Sequence, residues 1–260
     1  MQVDCILSYH LTEEYVFECV QSALTQTHQD LILHIVDDTG GEGFNMAIRQ
    51  RFPDSRIRFY KNPKNIGYYL STNAVFHNFK GELFFVFDSD DISPNWRLAD
   101  AIEIYQREPF DIYTAGIRWI TADGEITDKY GIPKPFVFNN FGRQTKGIFF
   151  NPACAVRCSY FKDIRGYSNC PVGGDKDFIT KSYFYNANVF YDSMRVMAYR
   201  REHPNQVTKT NATGLHTQRR RELDNLTYKR TLRYYLGGVR KRIKKAGMLE
   251  LTNKLEPISI

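Results

Sequence analysis

Five consecutive apolar residues, Leu83-Phe84-Phe85-Val86-Phe87, run straight into Asp88-Ser89-Asp90-Asp91. Such a run reads as a strand covered on both faces, which places it inside a sheet with helices on either side. Three carboxylates within four positions repel one another unless a positive group sits among them. A divalent cation with oxygen ligands supplies one, and Mg²⁺ takes one or two protein carboxylates while phosphate oxygens and water fill its other positions. Asp, Ser and Pro also suit the entry to a helix beginning near Pro94, so a solvated, helix-capping acidic turn is the alternative.

The chain before this stretch repeats the pattern. Val3 to Tyr9, Asp30 to Val36 and Arg56 to Tyr60 read as strands. Between them the apolar spacing predicts three helices. Thr12 would cap the first, whose stripe is Tyr15, Val16, Cys19, Val20, Ala23 and Leu24; the others span Gly43 to Phe52 and about Tyr68 to Phe79. Strands alternating with such helices build βαβ units, hence an α/β fold with a mostly parallel central sheet flanked by helices. Ligands in such sheets bind beyond the carboxyl ends of the strands. Three strands end there in polar or acidic residues: Ser8 and His10, Asp37 and Asp38, Asp88 and Asp90. Loading one sheet edge with carboxylates favours a metal that carries a phosphorylated nucleotide over separate surface turns.

Leu24-Thr25-Gln26-Thr27, Val36-Asp37-Asp38-Thr39-Gly40, Asn65-Ile66-Gly67, and Asp88-Ser89-Asp90-Asp91 followed by Pro94 resemble, in order and spacing, the inverting glycosyltransferases of family 2. That family has the Rossmann-like GT-A fold, and the likeness covers about residues 1–205. The resemblance implies a nucleotide-sugar site built from Ser8, His10, Asp37, Asp38, Asn65, Gly67, Asp88 and Ser89. Asp38 would accept a hydrogen bond from the base, with Ser8 and Asn65 nearby, and Asp88 would meet ribose or sugar hydroxyls. Asp90, with Asp88, would hold Mn²⁺ or Mg²⁺. Gly173-Gly174-Asp175-Lys176-Asp177 resembles the family's Gly-Glu-Asp-x-Asp motif, in which an acid at a helix N-terminus is the catalytic base. Gly174 replaces the Glu, which makes Asp175 the base and Asp177 its alternate; acids that merely favour a first helical turn are the competing reading. Arg200-Arg201-Glu202-His203 resembles the segment in which relatives place a His near the metal or diphosphate. His203 is therefore a further candidate ligand, against the alternative of a solvated imidazole.

The second half is otherwise read as a helix from Pro94 to Gln106, a strand from Asp111 to Ile120 turning at Ala122-Asp123-Gly124-Glu125, and a strand from Phe149 to Val156. A short helix over Ser159 to Asp163 and strands over Asn188 to Tyr191 and Arg195 to Tyr199 follow. Residues 131–147, rich in Gly, Pro, Asn and Phe, are expected to be irregular, either a lid over the site or a surface excursion.

Charge separates the C-terminal part. Residues 216–247 hold eleven Lys or Arg against Glu222 and Asp224, a net +9, which leaves −3 for the rest of a chain whose total is +6. The organisation expected is a GT-A domain over 1–215 and a basic amphipathic helical extension over 216–260. The extension would pack its apolar stripe on the body or on a second copy of the chain, lie on anionic lipid, or, less favoured, contact nucleic acid. No apolar run reaches the ~18 residues of a membrane span, and Met1-Gln2-Val3-Asp4 leads directly into a strand. A cytoplasmic protein, at most peripheral at the inner face of the membrane, is expected. Five scattered cysteines read as reduced, mostly buried thiols.

These observations point to a metal-dependent inverting glycosyltransferase that moves a sugar from a nucleoside-diphosphate sugar, a UDP-sugar first, to a saccharide or lipid-linked glycan. A nucleotidyltransferase, and an inactive glycosyltransferase-like module binding polyanions through its tail, are the alternatives.

Overall fold

The computed structural model of the chain describes residues 1–41, 43–138, 144–170 and 173–206, with residues 209, 217, 218, 221, 222, 225, 229 and 230 beyond them. The expected boundary at 215/216 and most of the basic extension lie outside the described residues. Among those described, no helix is long and apolar enough to cross a membrane.

The first half alternates as expected: β1 (Val3–Tyr9), α1 (Val16–Leu24), β2 (Leu31–Asp37), α2 (Asn45–Arg51), β3 (Ile57–Lys61), α3 (Tyr68–Val75), β4 (Leu83–Asp88) and α4 (Arg97–Arg107). β5 (Ile112–Ile120), β6 (Ile126–Gly131), β7 (Lys134–Phe138), β8 (Gln144–Ile148), β9 (Cys154–Arg157), α5 (Cys158–Asp163), α6 (Gly174–Phe184) and β10 (Val189–Arg201) complete it. The main sheet runs β10-β5-β9-β4-β1-β2-β3, with β6 paired to β5. β3, β2, β1 and β4 are mutually parallel, and β9 alone inserts antiparallel between β4 and β5. The chain winds from β1 outward through β2 to β3, then crosses back to place β4 on the other side of β1. That reversal opens a crevice at the carboxyl ends of β1 and β4, the usual ligand position in open α/β sheets.

Alternation along the central strands fills both faces. Cys5 and Leu7 of β1 and Phe85 and Phe87 of β4 pack with Val16, Cys19 and Val20 of α1 and Leu98 and Ala101 of α4. Ile6 of β1 and Phe84 and Val86 of β4 pack instead with Val75, Phe161, Phe178 and Ile179. Each of the Val, Leu, Ile and Phe side chains among them stabilises the fold by about 1.5–3 kcal/mol. The continuous apolar run at 83–87 therefore has the cause assigned to it.

Three segments differ from expectation. Residues 131–147 are not wholly irregular: β7 and β8 pair antiparallel as a separate two-stranded sheet, and Phe138 stacks on Tyr183 of α6 at 4.2 Å between centroids. Gly147, at φ 126°, lets the β8 backbone approach Phe136, where a Cβ would meet the Phe136 Cα at 2.7 Å. Before β9, Pro152 directs Asn151–Ala153 into a 3₁₀ turn, so the strand begins only at Cys154. The last two strands are one, β10, whose register slips between Asp192 and Val196, where the Asp192 carboxylate accepts the amides of Met194 and Arg195.

Candidate active site

The register sets the site's frame. Ser8 pairs with Asp88 across β1 and β4, and Tyr9 pairs with Asp37 across β1 and β2. The three strand ends singled out in the sequence thus share one edge, with Ser8 and Asp88 at the crevice. His10 follows β1 and is exposed.

Asp38 does something other than wait for a base. Its buried carboxylate accepts Asn62 Nδ2 at 2.7 Å and the Ile66 amide at 2.9 Å on one oxygen, and Asn65 Nδ2 at 3.2 Å and the Gly67 amide at 2.8 Å on the other. An ionised carboxylate offers about four lone-pair positions, and here four donors take them. Asp38 therefore holds the loop that launches α3, and Gly67, at φ 85°, turns the backbone into that helix. Asn65 belongs to the same cage. Asp37 is likewise absorbed locally: one oxygen accepts the Thr39 amide at 3.0 Å and hydroxyl at 2.6 Å, and the other lies where a Cβ on Gly43 would sit at 1.8 Å. In this arrangement Asp38 positions the Asn65–Gly67 loop.

The acidic turn after β4 is compensated from within the chain as well. Burial, then the neighbouring Asp90, push Asp88 up to about 7, against the opposing pull of Arg200. Asn151 Nδ2 donates to Asp88 Oδ1 at 3.4 Å. The Ser89 hydroxyl bonds the Thr12 hydroxyl at 2.8 Å. Thr12 therefore caps nothing with its side chain, and α1 starts later, at Val16, after a turn in which the Thr12 carbonyl accepts the amides of Tyr15 and Val16. Asp91, raised well above the usual carboxylate range by burial and then by Asp90 and Asp88, accepts the Arg201 amide at 2.9 Å. Beneath the turn, the buried Arg97 donates to the carbonyls of Val86 at 2.7 Å and Cys154 at 3.0 Å, and lies over the Phe87 ring.

His203 is buried rather than solvated, and its Nε2 lies 2.9 Å from Asp90 Oδ2. Two of the three residues proposed as metal ligands are brought together across more than a hundred residues of chain. Their neighbour Arg201, which the sequence reading did not single out, secures the arrangement. Its Nε donates to the Asp90 carbonyl at 3.0 Å, its guanidinium reaches the Ala122 carbonyl and Glu18, and it covers the Tyr15 ring at 4.7 Å. The Tyr15 ring also packs on His203, at 4.7 Å between centroids. Side chains alternate along a strand, so Arg200 faces away from Arg201, and its charge acts on Asp88 and Asp91.

α6 supplies the remaining acid. Gly173, at φ 72°, turns the chain into the helix, and the ring of Tyr69 lies against Gly174, where a Cβ would approach its Cδ2 at 2.6 Å. Tyr69 is held in turn by edge contacts with Tyr68 and Tyr167. That packing explains why no Glu stands at 174. Asp175 is half-buried on the crevice side, where its charge reaches both Asp88 and Tyr69. Asp177, two residues on, leaves the helix on the other side and is buried with Lys181 and Arg230. Of the two acids, Asp175 is the one whose charge acts on Asp88.

The family model for Glycosyl transferase family 2 matches residues 4–165, well over half of the chain. The chain belongs to this family. Among curated relatives, an uncharacterised glycosyltransferase of Methanocaldococcus jannaschii is 24% identical over 180 residues, 66% of this chain and 60% of that protein. The UDP-Glc:alpha-D-GlcNAc-diphosphoundecaprenol beta-1,3-glucosyltransferase WfaP of Escherichia coli is 26% identical over 154 residues, 59% of each chain. This chain thus spans about three-fifths of the length of both. S. aureus TarS residues 1–349 in complex with UDP superposes with TM-score 0.62 at 17% identity, covering 93% of this chain and 73% of that one. The mannosyltransferase PcManGT of Pyrobaculum calidifontis, in complex with GDP-Man and Mn²⁺, gives TM-score 0.56 at 12% identity over 77% of this chain and 56% of its own. The fold is the GT-A arrangement of these glycosyltransferases.

Among the described residues no three His, Cys, Asp or Glu side chains converge as a metal cage. The donors available are Asp90 and His203, with Asp88 beside Asp90 in the turn but not joining them as a third ligand. One carboxylate and one imidazole, already oriented toward each other, fit a cation whose other positions go to diphosphate oxygens and water. The imidazole suits Mn²⁺ better than the oxygen-seeking Mg²⁺.

Proposed function

We propose that the chain transfers a sugar, with inversion, from a UDP-sugar to an acceptor hydroxyl. The observation that carries this reading is the meeting of Asp88, the Asp90–His203 pair and Asp175 around the crevice at the carboxyl ends of β1 and β4. The donor class is supported by UDP-Glc in the name of the E. coli relative and by UDP in the TarS complex. A lipid-linked acceptor is supported by the diphosphoundecaprenol of that relative's name.

In the reaction, Asp175 accepts the proton of the acceptor hydroxyl as that oxygen bonds to the anomeric carbon. The bond from that carbon to the diphosphate breaks on the opposite face, and its electron pair leaves with UDP. Proton removal by a positioned carboxylate contributes about 10²–10⁴-fold. Asp90 and His203 would hold Mn²⁺, which when bound offsets charge on the departing diphosphate. Arg200 adds a fixed positive charge on the same side, and Arg201 keeps the Asp90 backbone in place. Asp88, with Asn151 beside it, would accept from donor hydroxyls. Asp38 keeps Asn65 to Gly67 shaped along the nucleotide's path.

Asp175→Asn tests the assignment. With UDP-glucose, Mn²⁺ and water as acceptor, the variant should release UDP at least about a hundredfold more slowly than the wild type, with UDP affinity unchanged. Equal rates in the two proteins would remove Asp175 from the role.

A further inference from the structure

Asp177 lies at the centre of a charge cluster under the first turn of α6. It is 3% exposed, and its Oδ2 has no hydrogen-bond partner. On one side is Lys181, fully buried one turn along the helix, its Nζ donating to the Gly166 carbonyl; burial draws its pKa down to about 8 against the pull of Asp177. On the other side is Arg230, contributed by the basic C-terminal segment. Its Nη1 lies 3.5 Å from Asp177 Oδ1 and 3.0 Å from Cys170 Sγ, and its Nη2 lies 3.4 Å from the Asn169 carbonyl. One side chain thus spans from the loop preceding α6 to the second acid of its first turn.

Other ties hold the same region from elsewhere. Asn73 brackets Tyr167, giving Nδ2 to its carbonyl at 2.9 Å and taking its amide at 3.0 Å. Lys181 fixes Gly166. Tyr69 packs against Gly174 from the crevice side, and its hydroxyl accepts the Asp175 amide. Arg230 engages residues 169, 170 and 177 together, from the side opposite Tyr69. Asp175 is between the residues so held, on the same helical turn.

We infer that Arg230 is a positioning residue: by clamping Asp177 to the Asn169 carbonyl and the Cys170 thiol it helps fix the first turn of α6 and so the direction of the Asp175 carboxylate. The inference gives the basic extension a role in the active site, and its kinetic consequence rests on the transferase reading above. Catalytic groups lose effectiveness steeply when displaced by about 1 Å, so a clamp two residues from the base acts on turnover rather than on donor binding.

The test uses the full chain and the variants Arg230→Ala and Arg230→Lys. Amide hydrogen exchange by mass spectrometry should show at least about tenfold faster exchange over 173–178 in Arg230→Ala, with β1 to β4 unchanged and Arg230→Lys close to wild type. UDP-glucose hydrolysis with Mn²⁺ should fall about tenfold in kcat with KM and UDP affinity unchanged, and recover in the lysine variant. Unchanged exchange over 173–178 would overturn the clamp. Faster exchange with unaltered kcat would overturn the link to Asp175. A fall confined to KM, or an equal loss of UDP binding, would make Arg230 a ligand contact and overturn it too. If the wild type does not turn over UDP-glucose, the transferase reading fails on its own, and the exchange data still decide on the clamp.

Discussion

Replacing Asp38 by Asn separates a scaffolding carboxylate from a base-binding one. The amide keeps the shape but puts an NH₂ group where one acceptor oxygen stood. If it faces Asn62 and Ile66, one buried and one half-buried donor lose their partner; if it faces Asn65 and Gly67, only the half-buried Gly67 amide is stranded, because the exposed Asn65 can turn to water. The second orientation is the cheaper. A stranded buried N–H costs about 1–3 kcal/mol. The two surviving bonds lose their charge assistance, about 1 kcal/mol each. The sum is about 3–5 kcal/mol, a sizeable share of the ~5–15 kcal/mol that stabilises a typical domain. For a chain of this length it corresponds to a fall in Tm of roughly 10 °C. Urea unfolding followed by circular dichroism should show a lower midpoint at an unchanged slope. A variant as stable as wild type but with weakened UDP binding would refute the cage and return Asp38 to the base.

Two further outcomes follow from packing and burial. Gly174→Ala sets a Cβ against a Tyr69 ring that Tyr68 and Tyr167 keep from moving, so it should destabilise by about 1–3 kcal/mol in thermal unfolding, and Tyr69→Leu in the same chain should recover most of that. His34 is buried between Asp4, at 2.7 Å, and the Tyr60 hydroxyl, at 3.0 Å, and burial holds its pKa below 6.5. The unfolded chain then binds more protons, so the stability this residue contributes is present above about pH 6.5 and is lost as pH falls below it; His34→Gln should flatten that part of the urea-midpoint profile against pH.

How far these features were legible in the sequence depended on how local their causes were. The uninterrupted apolar run at 83–87 and the alternation before it depend only on side-chain period, and they gave the parallel sheet and the crevice edge. Asp90 and His203 could be named from motifs, although only the fold brings them within 2.9 Å. Asp38 shows the limit: an acid after a strand looks the same whether it faces a ligand or four donors from the next loop. The Ser89 hydroxyl was hidden for the same reason, since its partner Thr12 is 77 residues away. Asp177 could have been separated from Asp175 beforehand, because residues two apart on a helix do not share a face. Arg201 lay in a segment read for its histidine, and Asn151 carried no motif; an Asn before Pro152 was its only signal. The β7–β8 hairpin was obscured by its Gly and Pro content, which suggests loop unless the alternating Phe136 and Phe138 are weighed.

The most direct test of the central claim is the melting temperature of the wild type and of Asp90→Ala with UDP, each with and without Mn²⁺. A native-state ligand stabilises by RT ln(1 + [L]/Kd), about 2.7 kcal/mol at a hundredfold excess over Kd. The account predicts a clear rise for wild type with UDP and Mn²⁺ together, little with either alone, and none for Asp90→Ala. An equal rise without the metal, or an undiminished rise in the variant, would contradict it.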